Sequence, residues 1–305
     1  MSQFLHLKDK FGNDMWFGNT GEVRLAARPN VQDYSKQLQR IRDIKLRHDD
    51  VIVVGYPKSG NNWNHQMIRM LLDGTTDLPA LNVNSDSFFF LDAFGEECNL
   101  LPSEKPRAFM SHLPFRFLPR DVTEKKIKVV YLTRNPKDVT VSLWCHVSNL
   151  TVPPGYGGTW PQFFEVMLEH GFWYGDVFDH MKDWEKEINA RPGHPIFHSN
   201  FEETKKNTVD QVEKLDKFLG TGRGRELCEA IVMTCQLGNM HMTRRHEFTG
   251  GKDPWCHKDG ISNNAFYRKG MVGDWKNWFT VAQNERFDDV YTTKMAGSKR
   301  TFAFE

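Results

Sequence analysis

The stretch VIVVGYPKSGNNW, residues 51–63, carries the decisive pattern. Four consecutive apolar residues, all β-branched, read as a strand buried on both faces. Past the loop, Trp63, Met67, Met70 and Leu71 recur at the period of an amphipathic helix, with Gly74 as its stop. Between them Gly55 and Gly60 have the G-x-x-x-x-G spacing of a phosphate loop. A nucleoside-triphosphate loop continues with Lys and then Ser or Thr, the hydroxyl ligating magnesium. Here those places hold Asn61 and Asn62, and the lysine lies inside the loop at Lys58. The backbone amides of Ser59, Gly60, Asn61 and Asn62 at a helix mouth, with Lys58 beside them, suit an anion that needs no magnesium hydroxyl. Taken alone, an ordinary strand-to-helix turn with a surface lysine fits as well.

Two further β-rich runs, AFMSH (108–112) and IKVVYLT (127–133), end in polar residues and are interleaved with helical patterns. The expectation is an α/β fold: one domain over 1–305 with a central parallel β-sheet flanked by helices and ligands at the carboxyl ends of the strands. Residues 1–45 read as an N-terminal extension packing on it. After the third run Asn135 is an N-cap, Pro136 suits the first helical position and Asp138 favours the first turn. Ser142 lies two turns on, on the face of that cap, so Arg134 and Ser142 are placed to converge on an anion, or to serve as an ion pair and a back-bonded hydroxyl. The segment YRKGMVGDWKNWFT (267–280) adds Arg268, Lys269 and Gly270, equally readable as a solvated basic turn. Residues 165–184 and 208–220 read as helices, while 237–267, with little apolar period, reads as a lid loop or a disordered stretch.

Composition excludes more than it names. With 40 Lys+Arg against 39 Asp+Glu, nothing points to a nucleic-acid or anionic-membrane partner. The N-terminus has charges throughout, no stretch approaches the roughly 20 apolar residues of a membrane span, and the five cysteines show no C-x-x-C pair. The expectation is a cytoplasmic protein with reduced thiols, no membrane association and no metal; Cys256, His257, His241 and His246 lack regular ligand spacing.

Together and in order, YPKSGNNW, RNPKDVTVS and RKGMVGDWKNWFT resemble the three signatures of the cytosolic sulfotransferases. The likeness runs from YPKSG to TVAQNERFDDVYTTKMAG. It implies 3′-phosphoadenosine 5′-phosphosulfate (PAPS) as donor and PAP as product. By it Lys58 and the loop amides hold the 5′ end, and Arg134, Ser142, Arg268, Lys269 and Gly270 the 3′-phosphate. Trp63, otherwise simply the first residue of a core-facing helix, stacks on adenine, near Phe201, Thr234 and Gln236. His112, which ends an apolar run at a strand's carboxyl end and otherwise reads as a satisfied semi-buried histidine, matches the family's catalytic base. Lys58 neutralises the leaving phosphate, and Ser142 restrains Lys58 until the acceptor arrives.

The chain departs from that pattern at several places. The lysine two before the histidine is Met110, and the paired threonines are Asn61 and Asn62. A tyrosine is replaced by Phe201, and an aromatic by Gln236. Losing one cation at the transferring group costs on the order of 2 kcal/mol, which leaves a catalytically weak or inactive PAPS/PAP-binding relative as the alternative. A magnesium-dependent kinase is disfavoured by the absent K-[ST] pair. The acceptor is expected to be a small aromatic or hydrophobic alcohol, phenol or amine, walled by Phe88, Phe89, Phe90, Phe115, Trp144, Tyr156 and Phe172, with PPGYGG (153–158) as a closing loop. Lys276, Thr280, Val281 and Glu285 have the spacing of the family's small homodimer contact, or of a helix start capped by Thr280.

Overall fold

The protein's structure is a computed structural model that describes residues 4–28, 31, 33–77, 90–93, 105–150, 155–236, 238–239 and 268–305. Phe88, Phe89, residues 151–154 and almost all of the expected 237–267 loop lie outside the described residues. The chain opens with an antiparallel sheet of β1 (Phe4–Lys8), β2 (Asp14–Asn19) and β3 (Arg24–Ala26). Its first turn closes on Asp9, whose carboxylate accepts from the amides of Phe11 (2.9 Å) and Asn13 (2.8 Å). Helix α1 (Tyr34–Asp43) follows, with Asp33 capping the Lys36 amide. Met15, Phe17, Leu25 and Ala26 of this region are buried in the same apolar cluster as Tyr131 and Trp184 of the main body.

Strand β4 (Val51–Gly55) runs at the middle of the main sheet into helix α2 (Asn61–Asp73). The later strands are β5 (Ala108–Ser111), β6 (Lys128–Thr133) and β7 (Ile196–Asn200), all parallel, in the order β5-β4-β6-β7. Val53 stands opposite Met110 on one side and Val130 on the other. Alternate β4 residues enter different clusters, Ile52 and Val54 one, Val51 and Val53 the other. Burial on both faces is why the run is continuously apolar. The strand–loop–helix reading holds, and α2 stops at Gly74, whose φ of 73° is the left-handed conformation glycine adopts without a Cβ clash.

Short helix α3 (Arg120–Glu124) precedes β6, and α4 (Pro136–Val147) follows it. Asn135 caps α4 as its sequence implies, accepting from the Lys137 and Asp138 amides. The expected helix over 165–184 is two: α5 (Trp160–Glu169) and α6 (Val177–Ala190). Between them Gly171, Tyr174 and Gly175 all have positive φ, and Asp176 caps α6 through the Phe178 amide. The glycines and the new cap outweigh the apolar period. Beyond β7 come α7 (Phe201–Lys206), α8 (Thr208–Leu219), α9 (Gly224–Thr234) and α10 (Val281–Lys294).

Candidate active site

The carboxyl ends of the main strands deliver the phosphate loop, His112, Arg134 and Phe201 to one edge of the sheet. In the loop Lys58 (φ 71°) and Gly60 (φ 97°) are both left-handed. The Ser59 amide closes the turn onto the Tyr56 carbonyl at 3.2 Å, so it belongs to the loop's own structure; the unpaired helix-start amides begin after it. A Cβ on Gly60 would lie 2.9 Å from Phe201, whose ring is therefore packed against the loop.

Arg134 joins all three motif segments. Its Nη1 donates to the Lys58 carbonyl and its Nη2 to the Met271 carbonyl, each at 3.1 Å, while the guanidinium covers the Phe201 ring at 4.3 Å. Asp138, 3.9 Å from Arg134, accepts from the amides of Gly273 and Trp275, both at 2.9 Å. These bonds clamp the basic segment onto the first turn of α4. Arg268 and Lys269 are both paired at 2.6 Å with Asp274, one to each oxygen. Burial works against ionisation of Asp274, but Lys269, Asn277 and Arg268 hold its carboxyl at about 2. Ser142 is buried on α4. One turn on, the Cys145 thiol feels the charges of Arg268, Asp274, Lys58 and Lys269, which turns this helix face toward the cluster.

The Trp63 indole lies edge-on to Phe201 at 5.7 Å and donates from Nε1 to the Cys235 carbonyl at 3.1 Å. Thr234 and Gln236 are thereby brought beside it, with Lys205 over its ring at 5.0 Å. The Thr234 hydroxyl donates back to the Ala230 carbonyl.

His112 follows β5, its ring set edge-to-face with Phe90 and Tyr174, each 5.2 Å away. Its amide donates to Asp92 (2.8 Å) and its carbonyl accepts from His180 Nε2 (3.0 Å). Ring Nδ1 lies 2.6 Å from the Gly55 carbonyl, a separation that requires a hydrogen between them. Nδ1 is therefore the protonated nitrogen and Nε2 keeps the lone pair. Burial, with Lys58 and Arg28 among the nearby charges, pushes His112 down to about 3, so the ring is neutral at physiological pH. Burial raises Asp92 to about 6 against the pull of Ser111, His112 and Tyr174 as donors.

Of the expected acceptor wall, Phe90 touches the histidine. Phe115 instead packs on Trp184 and His194 beneath Arg191, and Trp144 joins Trp160 and Trp278. Tyr156 and Phe172 belong to a core cluster with Phe163, and the Tyr156 hydroxyl donates to Asp9 at 2.6 Å. Sequence reasoning missed Asp92, Tyr174 and His180; a carboxylate two residues past Phe90 was the one local signal. Among the described residues no group of His, Cys, Asp and Glu is arranged to hold a metal, and no helix is long and apolar enough to cross a membrane.

Several atoms fit a bound anionic nucleotide. Ser59 Oγ, Arg134 Nε and Arg268 Nε are buried donors with no partner among the described residues, and the last two belong to cations.

Comparison with known proteins agrees. The sulfotransferase-domain family matches residues 48–299. Sulfotransferase 1B1 of Mus musculus is 32% identical over 282 residues, covering 90% of this chain and 92% of that protein. Sulfotransferase 1E1 of Bos taurus is 32% identical over 294 residues, covering 94% and 95%. Among solved structures, mouse sulfotransferase SULT7A1 complexed with PAP superposes with a TM-score of 0.69 at 27% identity, over 97% of this chain and 96% of that one. Retinol dehydratase in complex with androsterone and inactive cofactor PAP shares the fold, with a TM-score of 0.76 at 17% identity over 99% and 92%. The chain belongs to the cytosolic sulfotransferase family, an α/β enzyme of that class.

Proposed function

We propose that this protein transfers a sulfuryl group from PAPS to a hydroxyl or amine of a small aromatic or hydrophobic acceptor, in a single cytoplasmic domain and without a metal. The observation that carries this reading is the His112–Gly55 contact. The lone-pair-bearing imidazole is fixed to the residue that opens the phosphate loop, so base and donor site share one rigid strand end. Lys58 and the amides of Gly60, Asn61 and Asn62 hold the 5′ end, with Ser59 Oγ beside them. Arg134, Ser142, Arg268, Lys269 and Gly270 hold the 3′-phosphate, and Trp63 and Phe201 flank the base with Thr234 and Gln236. The donor, when bound, supplies an activated sulfuryl group. His112 takes the acceptor's proton at Nε2, while Lys58 neutralises charge on the leaving oxygen. Burial keeps the imidazole neutral, so its Nε2 lone pair is available as the attacking oxygen acidifies on bonding to sulfur. Phe90 and Tyr174 wall the acceptor beside His112.

The test is transfer of labelled sulfate from PAPS to a panel of phenols, steroids, alcohols and amines, with PAP binding followed by calorimetry. His112→Ala is expected to abolish transfer and leave PAP affinity within about threefold, because the side chain acts on the acceptor. Wild-type turnover in that variant would remove the base assignment. Met110, across from Val53 and bridged to Phe90, favours a second reading, a weak or inactive PAPS/PAP-binding relative, because an apolar side chain stands where the family likeness calls for a lysine. Donor binding without transfer across the panel supports it. A homodimer through residues 276–285 is also proposed, on the exposure of Val281 (77%) beside the Thr280 cap, although Lys276 is already paired with Glu305. Sedimentation as a monomer at micromolar concentration removes the dimer.

A further inference from the structure

We propose that the Asn61 side chain is a positioning residue for His112 and not a ligand of the donor. It holds the Gly55 carbonyl on Nδ1 and so fixes the tautomer that leaves Nε2 unprotonated. The inference rests on reading His112 as the base.

Asn61 Nδ2 lies 3.2 Å from the Gly55 carbonyl, 3.3 Å from the Tyr56 carbonyl and 2.9 Å from His112 Nδ1. The amide has one sensible orientation, since the reverse sets Oδ1 against two carbonyl oxygens. Its two hydrogens go to those carbonyls. Donation to Nδ1 instead requires the Nε2–H tautomer and leaves a lone pair facing the Gly55 oxygen across 2.6 Å. Asn61 is 6% exposed, which shields these bonds from bulk water. A Cβ on Gly55 would lie 2.8 Å from Asn61 Oδ1, which shows how closely the amide is seated on this residue. With Nδ2 committed and Oδ1 an acceptor, the side chain offers an anion nothing; only its backbone N–H does.

The experiment is long-range ¹H–¹⁵N NMR of the full chain with ¹⁵N-labelled histidine at pH 7, with and without PAP, plus PAP calorimetry. The wild type is expected to show His112 with Nδ1 protonated and Nε2 unprotonated. In Asn61→Ala and Asn61→Thr the two shifts move toward a tautomer average, with PAP affinity within about threefold. A wild-type His112 carrying its proton on Nε2 overturns the proposal. So does an Asn61→Ala protein whose His112 spectrum is unchanged, and so does a tenfold or greater loss of PAP affinity in it. Should the variants not fold, the wild-type spectrum alone decides the tautomer. Turnover surviving in His112→Ala sinks the base reading separately, since the tautomer is read without catalysis.

Discussion

Acidification from pH 7 to pH 5 should remove a large part of this protein's stability. Burial of three histidines is the main cause: it holds His65 and His112 down to about 3 and His180 to about 4, against 6.5 in an open chain. Their folded pKa values are depressed, so the stability they contribute is present above 6.5. It is lost as pH falls toward 4 and 3, because the unfolded chain binds protons that the folded one refuses. At pH 5 each such histidine costs about 2 kcal/mol, roughly 6 kcal/mol for the three. Asp92 opposes them. Raised to about 6, it binds a proton more tightly in the folded state and returns about 1 kcal/mol at pH 5. Glu202, also raised by burial, acts in the same direction. Asp274, held at about 2, matters only below its open-chain value of 3.8. The net loss of about 5 kcal/mol approaches the whole stability of a modest domain. Urea unfolding at pH 7, 6 and 5, analysed with a common slope, measures it. A change under about 2 kcal/mol, or folded-state histidine resonances titrating near 6.5, refutes the reasoning.

Two substitutions test other parts of the structure. Arg107 donates from Nε and Nη2 to the two oxygens of fully buried Asp50, at 2.9 and 2.6 Å. Arg107→Ala strands that carboxylate and is expected to cost about 3–5 kcal/mol in urea unfolding; a loss below about 1 kcal/mol contradicts the pair's structural role. Gly60→Ala puts a Cβ on a residue at φ 97° and within 2.9 Å of Phe201, so a loss of about 1–2 kcal/mol and weaker PAP binding are expected. Unchanged calorimetry would show that the loop tolerates another shape.

What was legible depended on whether the determinant was local. The β4 run, the glycine spacing and the Asn135-Pro136 cap are each set by neighbours within a few residues, and each is found where the sequence places it. Strand β7, IFHSN, was not seen. It has two apolar residues and ends the sheet order, where one side of the strand lacks a partner among the described residues. The N-terminal sheet was hidden because its outward residues are His6, Lys8 and Asp14, which pair with one another and mask the alternation. Tyr156 looked like a lid aromatic in PPGYGG, but its hydroxyl is held by Asp9, 147 residues away, a partner no local pattern contains. Tyr174 reaches His112 through the left-handed break at 171–175, which the helical period concealed.

The charges around the proposed 3′-phosphate site divide the work unequally. Arg268 and Lys269 share the single negative charge of Asp274, whose low pKa keeps both pairs intact through the physiological range. Asp138 spends its oxygens on the amides of Gly273 and Trp275. These carboxylates fix the basic segment rather than cancel every cation. Arg134 is the exception: its two terminal nitrogens rest on carbonyls, its face on Phe201, and the nearest carboxylate oxygen is 3.9 Å off. Burial, largest among the influences on it, pulls its pKa down, as expected of a cation only partly compensated. A charge so placed gains from an arriving anion without moving, since its position is already set by the Lys58 and Met271 carbonyls. In the proposed reading this makes magnesium unnecessary. The loop that gave up the Lys-Ser/Thr pair draws its positive potential from an arginine on the next strand end, and the same arginine joins that loop to the segment closing over it.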